Sequence, residues 1–146
     1  MSRTAPSKRQ DYKVFTQITT RWHDNDAYGH MNNAVHYQLF DTAVNAHLVE
    51  QGVLDFRNGE TVFLVVETGC KYHGEISFPD LVTAGIRVAS LGTSSVRYEI
   101  GLFRNDAQEA SAEGYFVHVN VSLESRLPMP VEQNVRTVLQ RLIAWE

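Results

Sequence analysis

Asn32-Asn33-Ala34-Val35-His36-Tyr37-Gln38-Leu39-Phe40-Asp41-Thr42-Ala43-Val44-Asn45-Ala46-His47-Leu48-Val49-Glu50-Gln51-Gly52 is the stretch that decides how this chain folds. Its apolar positions are Ala34, Val35, Tyr37, Leu39, Phe40, Ala43, Val44, Ala46, Leu48 and Val49. They cover more than one face of a 3.6-residue helix. A helix over residues 34–51 is therefore expected to be buried on most sides. Asn32 or Asn33 is expected to cap its start, and Gly52 to stop it.

Working outward, residues 13–22 are rich in β-branched and aromatic side chains and read as a strand. Four further strands are expected over 61–73, 80–91, 95–104 and 109–124. Turn chemistry separates them: Phe78-Pro79-Asp80, Leu91-Gly92-Thr93 and Asn105-Asp106. The spacing suits antiparallel hairpins. Leu127-Pro128-Met129-Pro130 breaks the chain, and residues 131–145 read as a terminal helix with Val135, Val138, Leu139, Leu142 and Ile143 on one face. The order predicts an α+β fold, one long helix wrapped by a curved antiparallel sheet. A single sheet covers only part of a helix that is apolar nearly all round. A second subunit is expected to cover the rest, giving a dimer.

The bulk numbers agree with one domain. The chain has 146 residues, 43% of them hydrophobic and 21% charged. Residues 11–146 are expected to form that domain, after a polar, basic tail over 1–10 read as disordered. A net charge of -4 without a basic stripe argues against nucleic acid. No apolar run approaches the ~18 residues that span a membrane. The lone Cys70 allows no internal disulfide, so a cytoplasmic location is expected.

The loop before the helix, Trp22-His23-Asp24-Asn25-Asp26-Ala27-Tyr28-Gly29-His30-Met31, carries the chemistry. It is not a calcium loop, because Val35 stands where a bidentate Glu is required. A metal site from His23, Asp24, Asp26 and His30 matches no known spacing on one element. Nucleophilic Ser or Cys catalysis lacks a Gly-x-Ser-x-Gly turn, and Cys70 falls in an apolar strand. The remaining reading is a carboxylate acting on an ester or thioester. Asp26 lies seven residues before Asn33. A helix start leaves about four N–H groups unpaired, and the macrodipole adds roughly half a positive charge. An oxyanion formed there is stabilised, with Asp26 as base or nucleophile. The competing reading is structural. Asp24 and Asp26 then cap their own loop, Asn32 and Asn33 cap the helix, His30 is a turn residue, and Tyr37 is core packing.

Taken together, Asp26, Gly29-His30-Met31-Asn32-Asn33 and Tyr37 resemble the signature of hotdog-fold acyl-CoA thioesterases of the 4-hydroxybenzoyl-CoA thioesterase type. The resemblance continues through Val65-Val66-Glu67-Thr68-Gly69-Cys70-Lys71-Tyr72, Phe78-Pro79-Asp80 and Leu91-Gly92-Thr93-Ser94-Ser95-Val96-Arg97-Tyr98-Glu99. It implies Asp26 as the catalytic acid residue and Asn33 as the helix-start N–H that polarises the carbonyl. Gly29, His30 and Asn32 would shape the turn, and Tyr37 would line a pocket. The site would lie between subunits of a homodimer, or of a dimer of dimers, with Glu67 and Thr68 facing it from the next strand. Asp41 is the second-ranked acid, further from the helix start. The turn before the fourth strand lacks the basic cluster that holds coenzyme A phosphates in some members. Ser95, Arg97, Lys71 and Arg126 are the residues left for that contact. No metal and no cofactor is implied beyond coenzyme A as part of the acyl-CoA substrate. Two other readings stand beside this one: a non-catalytic module that binds acyl thioesters, and a thioesterase acting on acyl carrier protein.

Overall fold

Residues 5–143 are described by a computed structural model. The elements are β1 (Val14–Thr19), α1 (Val35–Glu50), β2 (Thr61–Tyr72), β3 (Leu81–Leu91), β4 (Ser95–Arg104), β5 (Ala112–Ser122) and α2 (Gln133–Gln140). The strands form one antiparallel sheet in the order β1-β3-β4-β5-β2, so β1 and β2 are its edges. The sheet packs one face against α1, which is the hotdog architecture that the order of elements predicts.

Burial alternates along β5: Ala112, Gly114, Phe116, His118 and Asn120 point inward. On β4 the inward set is Val96, Tyr98, Ile100 and Leu102. The helix meets them with His36, Leu39, Phe40, Ala43, Val44 and Leu48. A fully buried Phe or Leu contributes about 1.5–3 kcal/mol, so this seam holds the fold together. Gly114 is required within it, because a Cβ there would strike the Phe40 ring. The opposite side of α1 stays open, with Gln38, Asp41 and Thr42 exposed and Val49 at 49% exposure.

Alternation fails on β3, where Val82 through Ile86 are all buried. The outer face is covered there by the N-terminal segment. Tyr12 lies across Gly85 and Gly101, whose added Cβ atoms would fall 2.8 and 2.6 Å from its ring. Tyr12 also meets Phe103 edge to face at 5.8 Å. This corrects the expected tail. Residues 7–10 are tied down, with the Arg9 N–H donating to Gln108 O and the Ala110 N–H to Ser7 O. The Arg9 guanidinium binds the carbonyls of Ala107 and Asn105. Residues 1–4 lie outside the described residues.

Three boundaries shift from expectation. β1 stops at Thr19, because Arg21 and the buried Asp24 lock residues 21–24 into a tight turn. Ala34, not an asparagine, holds the cap position of α1, and Asn32 instead accepts the Ala34 N–H through its side chain. The terminal helix ends at Gln140, after which the chain adds a bridge to β3, with the Val88 N–H donating to Leu142 O. Trp145 lies outside the described residues. Gly52 does stop α1, at φ +73°. No described helix is long and apolar enough to cross a membrane.

Candidate active site

The loop between β1 and α1 closes on itself. Asn25 and Met31 form an antiparallel bridge, and the Asp26 N–H donates to His30 O at 2.9 Å. Gly29 turns the chain at φ +86°, a conformation that costs a side chain strain. The Met31 N–H reaches Ile76 O at 2.7 Å, pinning the loop to the segment after β2. The Asn32 N–H donates to Asp24 O at 2.9 Å. That bond ties the loop to the start of α1, with Asp26 facing His30 across the antiparallel bridge.

The backbone donors at the helix start can be counted one by one. The Ala34 N–H goes to Asn32 Oδ1 and the Val35 N–H to Asn32 O. The Asn33 N–H, on an exposed residue, has no acceptor among the described residues. Its carbonyl is held on the other side, accepting from the Tyr72 hydroxyl at 2.7 Å. Tyr72 in turn meets the buried His36 ring edge to face at 4.8 Å. Burial lowers the His36 pKa below the usual imidazole value, so that ring is neutral at physiological pH. The Asn33 carbonyl is thus held by the end of β2, while the Asn33 N–H stays without an acceptor among the described residues.

Asp24 and Asp26 part company here. Asp24 is buried and bound by Arg21 through the backbone N–H, Nε and Nη2, so it is structural. Asp26 accepts the Tyr28 N–H on Oδ1 at 2.9 Å, and its Oδ2 has no hydrogen-bond partner among the described residues. Asp26 thus caps its own loop with one carboxylate oxygen and leaves the other unbonded. His30 stands 3.5 Å from Glu75 through Nε2. Tyr37 is half-buried and meets Phe40 edge to face at 5.9 Å, which is core packing. Burial pushes the Cys70 thiol up to about 11, so it is not a nucleophile at neutral pH.

The other sequence candidates fall elsewhere in the chain. Glu67 lies on the edge strand β2, where a bulge between Val65 and Glu67 shifts the register. Its Oε2 accepts from the Tyr115 hydroxyl at 2.8 Å. The Thr68 hydroxyl donates to Tyr115 O. Arg97 stacks on the same Tyr115 ring at 4.0 Å. Ser95 pairs with Val119, whereas Tyr72 pairs with Ala112. Seven residues of β5 separate those positions, about 23 Å, so one chain does not bring Ser95 to Asp26. Asp41 is exposed on α1 and accepts from Asn45 Nδ2 at 3.0 Å. Tyr72 is the residue that sequence reasoning missed. Its only signal was an aromatic at the end of a strand, which does not reveal a hydroxyl aimed at a distant carbonyl.

Residues 20–139 match the family described as the thioesterase-like superfamily, and the chain belongs to that family. The crystal structure of the PA5185 protein from Pseudomonas aeruginosa strain PAO1 is similar to it with a TM-score of 0.93. That protein is 47% identical, over 97% of this chain and 98% of its own. The PA2801 protein of the same species, a thioesterase candidate, gives a TM-score of 0.81 at 26% identity, over 87% of this chain and 98% of that one. Slr0204 from Synechocystis, a 1,4-dihydroxy-2-naphthoyl-CoA thioesterase, shares the fold with a TM-score of 0.79 at 15% identity, over 86% of this chain and 94% of its own. The family sets the chemistry of this chain in thioester hydrolysis.

Proposed function

We propose that the chain hydrolyses the thioester of an acyl-CoA to the free acid and coenzyme A, with Asp26 and the Asn33 N–H as its working groups. The observation that carries this reading is the Asn33 N–H without an acceptor among the described residues, at the start of a 16-residue helix that follows a loop whose Asp26 keeps one carboxylate oxygen unbonded. The thioester carbonyl oxygen accepts from that N–H. The helix dipole adds a positive potential there. Asp26 Oδ2 takes a proton from water as hydroxide adds to the carbonyl carbon. The oxyanion gains more from the N–H than the ground-state carbonyl does, which is the condition for catalysis. Collapse expels the coenzyme A thiolate, which takes the proton from Asp26. Direct attack by the same oxygen, followed by hydrolysis of the anhydride, uses the same geometry.

The same reading assigns a homodimer. β2 is a sheet edge with Leu64, Val65 and Val66 at 39%, 50% and 61% exposure. An apolar exposed edge is a template for another strand, and a second copy is the partner that closes it. Glu67 and Thr68 on that edge then face the partner's site. Arg97 and Lys71 line one cavity of about 340 Å³ on the outer sheet face, and they are the contacts assigned to the coenzyme A phosphates. Arg87 in the same cavity is held by Glu99 at 2.8 Å. Gly29, His30 and Asn32 shape the turn.

Thiol release from short, long and aromatic acyl-CoAs, and from the matching acyl carrier proteins, tests this reading. Turnover of at least one acyl-CoA class is expected. Turnover of carrier-protein thioesters alone would move the donor, and turnover of none would leave a module that only binds.

A further inference from the structure

Tyr72 is the last residue of β2, and it pairs with Ala112 of β5. Residues directly opposite one another on antiparallel strands point to the same face. Ala112 points inward, so Tyr72 stands on the helix-facing side of the sheet. There its ring meets the buried His36 ring edge to face at 4.8 Å, with 88° between the planes. The ring quadrupoles favour that arrangement. It brings the Tyr72 hydroxyl to the start of α1, 39 residues back along the chain.

Asn33 joins two peptide planes, and each plane is rigid. The first holds the Asn32 carbonyl and the Asn33 N–H. Its carbonyl accepts the Val35 N–H at 2.9 Å. The second holds the Asn33 carbonyl and the Ala34 N–H. Its N–H goes to Asn32 Oδ1 at 2.9 Å. Its carbonyl accepts from the Tyr72 hydroxyl at 2.7 Å, and His36 Nδ1 stands 3.3 Å from the same oxygen. Among the described residues, Tyr72 alone bonds to this second plane from outside the loop and α1. The other bonds travel with the helix, whereas this one refers the helix start to the sheet. Burial first, and then Cys70 and Tyr37 beside it, raise the Tyr72 pKa above the usual phenol value, so the hydroxyl keeps the proton it donates.

We propose that Tyr72 is a positioning residue for thioester hydrolysis: its hydroxyl, acting through the Asn33 carbonyl, fixes the direction in which the Asn33 N–H meets the oxyanion. The proposal rests on the thioesterase reading above. With both planes held, the torsions at Asn33 are set before substrate arrives. A donor aimed in advance needs no reorganisation as charge develops, which is where such a donor gains its effect. Without the Tyr72 bond the second plane is free to turn, and the N–H is aimed less well. The loss falls on the transition state more than on the bound substrate, so it appears in kcat and not in KM.

Tyr72→Phe removes the hydroxyl and keeps the ring and its contact with His36. Tyr72 is 43% exposed, so the change leaves no buried hole. Thiol release from acyl-CoAs is expected to show kcat lower by about 10–100-fold, with KM within about threefold of native. Replacing Tyr72 by para-aminophenylalanine puts an N–H donor at the same point of the ring and is expected to bring kcat back to within about threefold of native. In isotope-labelled protein, the Asn33 carbonyl-carbon and amide signals both move in Tyr72→Phe and return with para-aminophenylalanine. If Tyr72→Phe does not fold, para-fluorophenylalanine, which fills the ring position without a donor, takes its place. A kcat within about twofold of native in the donor-free variant overturns the proposal, and so does an Asn33 amide signal that stays in place. An equal fall in kcat with para-aminophenylalanine overturns the hydrogen bond as the cause. If native protein turns over no acyl-CoA, the thioesterase reading fails and the Asn33 signals decide alone: movement upholds Tyr72 as what sets the N–H direction, and no movement overturns it.

Discussion

His118 and Tyr98 are the residues whose chemistry the proposed reaction leaves unused. Both are buried, and His118 Nδ1 and Tyr98 Oη have no hydrogen-bond partner among the described residues. Their rings meet at 5.4 Å, and Phe63 and Phe116 complete the surroundings of the imidazole. Burial alone lowers the His118 pKa to about 4. The native state thus resists a proton that the unfolded chain accepts near 6.5. The stability tied to this residue is fully present above about pH 6.5 and is lost as pH falls toward 4, by on the order of 3 kcal/mol. Urea unfolding across that range should show the loss, and His118→Phe should flatten part of it. His36 and His47, also lowered by burial, keep the remaining slope. Tyr98→Phe removes a buried hydroxyl that has no partner among the described residues. It should raise stability by about 1 kcal/mol, since an unpaired buried group costs about that much or more. A fall in stability in that variant would mean that the hydroxyl has a partner after all.

At the level of elements, the seam between α1 and β5 depends on one missing side chain. Gly114→Ala pushes a methyl group into the Phe40 ring. The expected cost is roughly 1–3 kcal/mol, the range for overpacking, read as a lower urea midpoint and partly recovered by Phe40→Leu. Most of the elements were legible in the sequence because their signals are local. The β-branched runs of β2 through β5 and the stop at Gly52 fall close to where the residues place them. The misses have non-local causes. Nothing near Tyr12 announces that Gly85 and Gly101, more than seventy residues away, form the trough that receives it. The end of β1 depends on whether Arg21 reaches Asp24. In the site, the Gly29-His30-Met31-Asn32-Asn33 turn was legible as a motif. The division of labour between Asp24 and Asp26 was not, because it rests on which carboxylate is buried. Tyr72 escaped for the same reason, as its partner Asn33 is 39 residues away.

The described residues present two unfinished surfaces, the edge of β2 and the open side of α1, which the proposed dimer would cover. Val66→Lys places a charge at the centre of the proposed pairing. Sedimentation should then show a monomer, and turnover should fall with it, because the proposed site takes Glu67 and Thr68 from the other chain. A monomer that keeps full activity would separate the chemistry from the interface. The central claim is that Asp26 drives thioester hydrolysis at the Asn33 N–H. The most direct measurement is kcat for Asp26→Asn beside native protein, by thiol release on the best acyl-CoA, with sedimentation confirming the same assembly. Asn keeps the acceptor for the Tyr28 N–H, so the loop holds while the base is lost. The predicted result is a fall in kcat of about 10²–10⁴ with the dimer intact. Turnover within about twofold of native, well short of what loss of a general base costs, would contradict the account and leave Asp26 as a loop cap.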